Sequence, residues 1–309
     1  MTSASDPSTR APALAVPRLP LGTATLSEVE RVAGGPSLRM SPIPRQRVVL
    51  SERSESKDDG SGAPGLPGGL HVLLTSPQAD PAAQPAYQFK DEPHSSHQAI
   101  LGQLGDGAGR RLLDVGAADG FLSSRLAEAG WRVTAIEGNP TLAAQARRWC
   151  ETVIVADLNG ELPELAGPFD AIVYGDVLEH LLDPERVCAA LNRLLAIDGQ
   201  VVMSMPNVAH LSVRLMLLFG RFEYASRGIM DRTHLHFFTL KRFCEFFQAC
   251  GLRLERVIPV PAPLFLAVPQ RFHGPWLRAL HQLNALGARW WPTGLAYQFV
   301  GTGRRTDVA

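Results

Sequence analysis

Leu112-Leu113-Asp114-Val115-Gly116-Ala117-Ala118-Asp119-Gly120 is the stretch that decides how this 309-residue chain is read. An apolar pair runs into Asp114, glycines follow at 116 and 120, and residues 121–129 continue with helical spacing. The order is strand, tight turn, helix N-terminus. A glycine has no Cβ, so another group can approach its backbone closely. The helix start aims N–H groups at the anionic end of whatever sits there.

Glycine spacing separates the ligand classes that use such a turn. A dinucleotide turn needs G-x-G-x-x-G, the third glycine allowing close packing of helix on strand. Counted from Gly116, the second position is Ala118 and the third is Phe121, so that template fails twice. The next segment, Arg132 to Glu137, alternates and is β-branched, which predicts a second strand. It ends on an acid at about the 20-residue distance of a ribose-binding carboxylate, and a carboxylate can accept from both ribose hydroxyls. The competing reading is that Glu137 caps the helix opening at Asn139-Pro140-Thr141, where proline suits the first turn. A third strand, Thr152 to Ala156, ends in Asp157-Leu158-Asn159. A fourth, Phe169 to Tyr174, leads into Gly175-Asp176-Val177-Leu178-Glu179-His180-Leu181. A fifth, Gly199 to Met205, ends at Pro206-Asn207. Ligands of open parallel sheets bind just beyond such carboxyl ends.

The Asp114–Gly120 turn, the acid at 137, Asp157-Leu158 and the Leu178-Glu179-His180-Leu181 stretch, in this order, resemble the motifs of class I S-adenosylmethionine-dependent methyltransferases. The usual family turn has glycine where Ala118 stands. The resemblance implies S-adenosyl-L-methionine as cofactor, held by Asp114, Gly116, Ala118, Gly120, Glu137, Asp157, Leu158 and Asp176. Asp157 would accept from the adenine amino group, with Leu158 beside the ring. The fold expected is α/β: a doubly wound, mostly parallel, seven-stranded Rossmann-like sheet with an antiparallel last strand between strands five and six.

Composition is ordinary for a soluble globular chain. Hydrophobic residues are 45% and charged residues 19%, with 30 basic and 30 acidic side chains. A balanced chain carries no global footprint for nucleic acid, so no nucleic-acid partner is expected. Cys150, Cys188, Cys244 and Cys250 lack metal-ligand spacing and read as buried thiols of a reducing cytoplasm. No apolar run nears the roughly 20 residues a spanning helix needs, and the N-terminus lacks a signal pattern.

The chain divides unevenly. Residues 1–86 are rich in Pro, Ser, Gly and Ala and read as a disordered, low-complexity tail, with Leu70 to Leu74 as a candidate strand-like fragment. Residues 87–309 read as the methyltransferase domain. Helices are expected at 97–104, 121–129, 141–149, 184–195 and 240–250, alternating with the strands. Leu252 to Val257 would be strand six and Ala296 to Thr302 the last strand. Between these two lies a long excursion, Ile258 to Leu295, with Leu277, Leu280, Leu283, Leu286 and three tryptophans. It is expected to cover the sheet edge, the alternative being peripheral contact with a lipid surface.

Residues 206–239 form an insertion after strand five, containing Asp231-Arg232-Thr233-His234-Leu235-His236. It resembles the lid of a bacterial branch of the family associated with polysaccharide and small-molecule O-methylation, and more distantly of ubiquinone-pathway O-methyltransferases. The acceptor implied is therefore a small molecule or a glycan. An alcohol or phenol acceptor must lose a proton, and histidine titrates near neutrality. His180 and His234 are the candidate bases, with His210 behind them, and Asp231 would orient the lid histidine. If the lid is strand-like, His234 and His236 share a face. In ubiquinone-pathway relatives an acid, a Glu and a His here can bind a divalent cation. Asp176, Glu179 and His180 sit at similar places but make a sparse set, and no metal is assigned. The alternative function is a non-catalytic cofactor-binding protein serving as an assembly partner.

Overall fold

The computed structural model describes residues 91–306. The tail and the Leu70–Leu74 fragment lie outside the described residues. In chain order the elements are α1 (Ser96–Leu104), β1 (Arg111–Val115), α2 (Phe121–Glu128), β2 (Arg132–Glu137), α3 (Pro140–Ala146), β3 (Thr152–Val155), β4 (Phe169–Gly175), α4 (Pro184–Leu191), β5 (Leu195–Pro206), α5 (Leu211–Leu218), α6 (Leu240–Ala249), β6 (Leu252–Val260), α7 (Leu264–Ala267), α8 (Pro275–Trp290), α9 (Pro292–Leu295) and β7 (Gln298–Arg305). The seven strands form one sheet ordered β3-β2-β1-β4-β5-β7-β6. The first five pair parallel, and β7 runs antiparallel between β5 and β6, as the resemblance implies.

Successive strand residues point to opposite faces. Leu113, Ile172 and Val201 meet Val187, Cys188 and Leu191 of α4 and Phe243, Phe246 and Phe247 of α6 on one side. Their neighbours Leu112, Val173 and Val202 meet Ile100 and Leu104 of α1 and Leu122 and Leu126 of α2 on the other. Unbroken apolar pairs in the strands are thus the signature of a sheet covered on both faces. Cys188 and Cys250 are buried, whereas Cys150 and Cys244 are only half-buried.

Element ends depart from the periodicity for local reasons. The fourth long helix stops at Leu191 instead of running to Leu195. Asn192 there accepts from the Tyr174 hydroxyl at 3.0 Å and donates to the Cys250 carbonyl, which fixes a short 3₁₀ turn before β5. Strand β6 runs on through Pro259 to Val260. It is an edge strand, where a missing N–H costs no ladder bond.

In the long excursion, α8 packs inward through Leu277, His281, Ala285 and Ala288. Of the four leucines expected to cover the sheet edge only Leu277 is buried; Leu280, Leu283 and Leu286 face solvent. The insertion after β5 folds as α5 followed by turns, tied back by a bridge between Asn207 and Phe238. Its small core is Val213, Ile229 and Met230, with Tyr297 against it. The stretch 231–237 is not a strand, so the expected sharing of a face by His234 and His236 does not arise: His234 is buried and His236 half-buried.

Candidate functional site

The turn after β1 alternates left-handed residues: Gly116 at φ 75°, Ala118 at 52° and Gly120 at 86°. An L-residue rarely takes this conformation, so Ala118 sits where glycine would be unstrained. A Cβ on Gly116 would stand 2.6 Å from Val177 Cγ2, and one on Gly120 2.9 Å from Ala146 Cα. Both glycines therefore permit close packing as well as the turn itself. Beneath the turn Asp114 is buried and accepts from Ser123 Oγ at 2.6 Å, linking β1 to the first turn of α2. Burial lifts its carboxyl to about 6, against the lowering effect of the Ser123 bond, and the charge of Glu137 adds to the rise.

Glu137 joins the turn to the next strand. Its Oε2 accepts from the Ala118 N–H at 2.8 Å and its Oε1 from the Asn139 N–H at 2.7 Å. The capping of α3 belongs to Asn139, whose side chain accepts from Thr141 and Leu142. Glu137 is half-buried, and two bonds leave part of a carboxylate's four acceptor positions open.

Strand order sets the ends of β3, β2, β1 and β4 side by side. Asp157, beyond β3, is exposed and accepts from the Asn159 N–H, while Leu158 is buried. Asp176, beyond β4, is left-handed at φ 55°. Its N–H donates to Ser204 Oγ, and its carboxylate accepts from that hydroxyl and from Gln298 Nε2. Ser204 and Gln298 were not singled out in the sequence. Their signal was a polar residue inside an otherwise apolar strand.

The lid closes on the loop after β4. The N–H groups of Leu235 and His236 both donate to the Glu179 carbonyl. The rings of His180 and His234 meet edge to face, 4.8 Å between centroids. Ligating atoms of Glu179, His180 and His234 lie within 4.8 Å of one another, and Glu179 is only 1% exposed. This trio, rather than Asp176 with Glu179 and His180, is the set that could hold a cation, because Asp176 is engaged by Ser204 and Gln298.

Each histidine has its Nδ1 committed. His234 Nδ1 donates to the Ile229 carbonyl at 3.1 Å, which leaves Nε2 as the lone-pair nitrogen. Burial holds its pKa below the ordinary histidine value, and the neighbouring His180 pushes the same way. His180 Nδ1 faces Thr233, 3.0 Å from Oγ1 and 3.3 Å from the carbonyl. Thr233 Oγ1 donates to Asp231 Oδ1 at 2.8 Å, and the Thr233 N–H donates to the same oxygen. The Asp231 carboxylate thus reaches the His180 ring through Thr233, while its backbone carbonyl accepts from the His234 N–H at 3.1 Å. His210 is spent as the cap of α5, accepting from the Ser212 N–H.

A cleft at the same end of the sheet is lined by His94, Ser95, Val260, His281, Tyr297 and Gln298. His281 is 2% exposed; its Nε2 donates to the Pro93 carbonyl at 2.7 Å, and its Nδ1 has no hydrogen-bond partner among the described residues. The sequence gave no sign of this residue, which sits on an otherwise apolar helix stripe.

Residues 87–257, more than half of the chain, match the family described as a methyltransferase domain. A ubiquinone biosynthesis O-methyltransferase of Xanthomonas axonopodis pv. citri (strain 306) is 32% identical over 158 residues, 48% of this chain and 65% of that protein. The enzyme of the same name from Xylella fastidiosa (strain 9a5c) is 34% identical over 158 residues, 48% of this chain and 63% of its own. The chain thus spans just under two thirds of the length of these relatives. Among solved structures, magnesium protoporphyrin IX methyltransferase of Synechocystis PCC 6803 with bound SAH aligns with TM-score 0.47 at 16% identity, over 69% of this chain and 83% of that one.

Proposed function

The chain belongs to the class I S-adenosylmethionine-dependent methyltransferase family, and from that premise we propose that it methylates an oxygen of a small molecule or glycan, with His234 as the base. The observation that carries this reading is the histidine pair. His234 is kept neutral by burial, its Nδ1–H is tied to Ile229, and its Nε2 lone pair is left for an incoming proton.

The family cofactor, S-adenosyl-L-methionine, supplies a sulfonium methyl group when bound. The residues present fit it. Glu137 offers a half-buried carboxylate with acceptor capacity to spare for a ribose diol, and the turn that Glu137 braces carries three left-handed residues. Asp157 and Leu158 end the neighbouring strand, and Asp176 is held rigid by Ser204 and Gln298. Methyl transfer to oxygen neutralises charge, so positioning can supply much of the acceleration, up to roughly 7–11 kcal/mol in well-oriented systems. What this chain adds is proton removal from the acceptor at His234 Nε2, beside His180 held by Thr233 and Asp231.

Relatives named as ubiquinone biosynthesis O-methyltransferases support oxygen as the atom methylated. A second reading is favoured by Glu179, whose buried carboxylate lies with both histidines. A divalent cation held there would polarise the acceptor hydroxyl instead of a free imidazole removing its proton. Turnover assayed with phenolic and sugar acceptors tests the proposal. Turnover on an oxygen acceptor, insensitive to chelators and lost in His234→Ala, is the outcome for the imidazole base. Loss of turnover on chelation, restored by added magnesium, is the outcome for the cation.

A further inference from the structure

We propose that the outer face of α8, continued along α5, docks on an anionic lipid surface. Helix α8 carries two apolar stripes. One is the buried stripe of Leu277, His281, Ala285 and Ala288. The other is Trp276, Leu280, Leu283, Leu286 and Trp290, at helical spacing and turned to solvent, with Leu283 64% and Trp290 85% exposed. A helix lying on a soluble protein has one apolar stripe and a polar outer face. Here the outer face is apolar along the whole helix, and nothing among the described residues covers it.

The patch does not stop at α8. Arg214 of α5 donates to the Thr293 carbonyl in α9, and its guanidinium stands 5.7 Å from the Trp291 ring. The first half of α5 therefore lies beside the end of α8, and further along the same helix Leu217, Leu218 and Phe219 are also exposed.

Charge selects lipid over a neutral partner. The whole chain is balanced, yet residues 258–295 contain Arg271, Arg278 and Arg289 and no Asp or Glu. The lid, residues 206–239, adds Arg214, Arg221, Arg227 and Arg232 against only Glu223 and Asp231. Together the two segments hold seven arginines against two acids, and the α8 stripe has tryptophan near each end. That is the composition of a helix lying in the headgroup plane: indoles at the polar boundary, leucines below it, and guanidinium groups among phosphates. No helix among the described residues is long and apolar enough to cross a membrane, so the contact is peripheral.

The test is co-sedimentation of the full chain with phosphatidylcholine vesicles, with and without phosphatidylglycerol. The expected result is binding to the anionic vesicles, weakened by salt. It should fall about tenfold or more in a Leu283→Glu, Trp290→Glu double variant, and also in Arg278→Glu, Arg289→Glu. Because all four positions are exposed, the melting temperature should hold. Should a variant unfold, brominated lipids decide with the unaltered chain, since tryptophan emission is quenched only if indoles enter the bilayer. No binding to anionic vesicles overturns the proposal, and so does binding that the substitutions leave unchanged. A dimer in solution that the same substitutions dissolve also overturns it, by assigning the face to a second copy of the chain.

Discussion

The backbone N–H of Ala118 donates to Oε2 of Glu137 at 2.8 Å, so the acid that ends β2 also holds the turn that follows β1. The sequence offered Glu137 two exclusive roles, ribose ligand or cap of α3. The structure shows a third role: it braces the left-handed residue that substitutes for a glycine, while Asn139 does the capping. Glu137→Ala should therefore lower the melting temperature even without cofactor, since two N–H groups lose their acceptor. The loss should be roughly 1–3 kcal/mol. Glu137→Gln keeps one carbonyl oxygen and should lose less. Chemical denaturation of the three proteins checks the order.

Ala118→Gly should stabilise the turn, because the conformation at φ 52° favours glycine. The gain is limited by the extra freedom of the unfolded chain. Gly116→Ala should do the opposite, since its Cβ would collide with Val177 at 2.6 Å. Melting temperatures moving in these opposite directions are the expected outcome.

Asp114 makes stability depend on pH in an unusual sense. Its folded-state pKa is raised from 3.8 to about 6, chiefly by burial. Between those values the folded chain holds a proton that the unfolded chain has released. The stabilising effect of that proton is fully present below 3.8 and lost as pH rises through about 6. The full cost of the buried charge is on the order of 3 kcal/mol. Asp114→Asn, which keeps an acceptor for Ser123, should flatten this fall. Unfolding free energies of both proteins from pH 4 to 7 measure it, at roughly 1.4 kcal/mol per pKa unit.

Most of the fold was legible because the sheet is covered on both faces. Apolar pairs such as Leu112-Leu113 and Val201-Val202 mark strands with two buried sides, and their alternation with helices gives a parallel sheet covered on both faces; the place of the last strand came from the family resemblance. What was not legible depended on contacts distant in sequence. Asn192 ends α4 through Tyr174 and Cys250, and Asp231 reaches His180 only through Thr233. The exposed stripe of α8 could not be told from its buried one, because both are apolar and periodic.

The pair His180 and His234 sets the expected pH profile of turnover. His234 is held below the ordinary histidine pKa by burial and by His180, so it stays neutral as pH falls further than a free histidine would. The acid limb of the rate should therefore lie below about 6.5. His234→Ala should reduce turnover by roughly 10²–10⁴-fold. Thr233→Val, which breaks the side-chain link between His180 and Asp231, should cost less.

The most direct test is a calorimetric titration of the chain with S-adenosylmethionine, its demethylated product and a nicotinamide dinucleotide. The account predicts saturable binding of the first two and none of the third. Affinity should be weakened in Glu137→Ala by an amount typical of charged hydrogen bonds, roughly 1.5–3 kcal/mol. Absence of S-adenosylmethionine binding, or equal affinity in a folded Glu137→Ala protein, would contradict it.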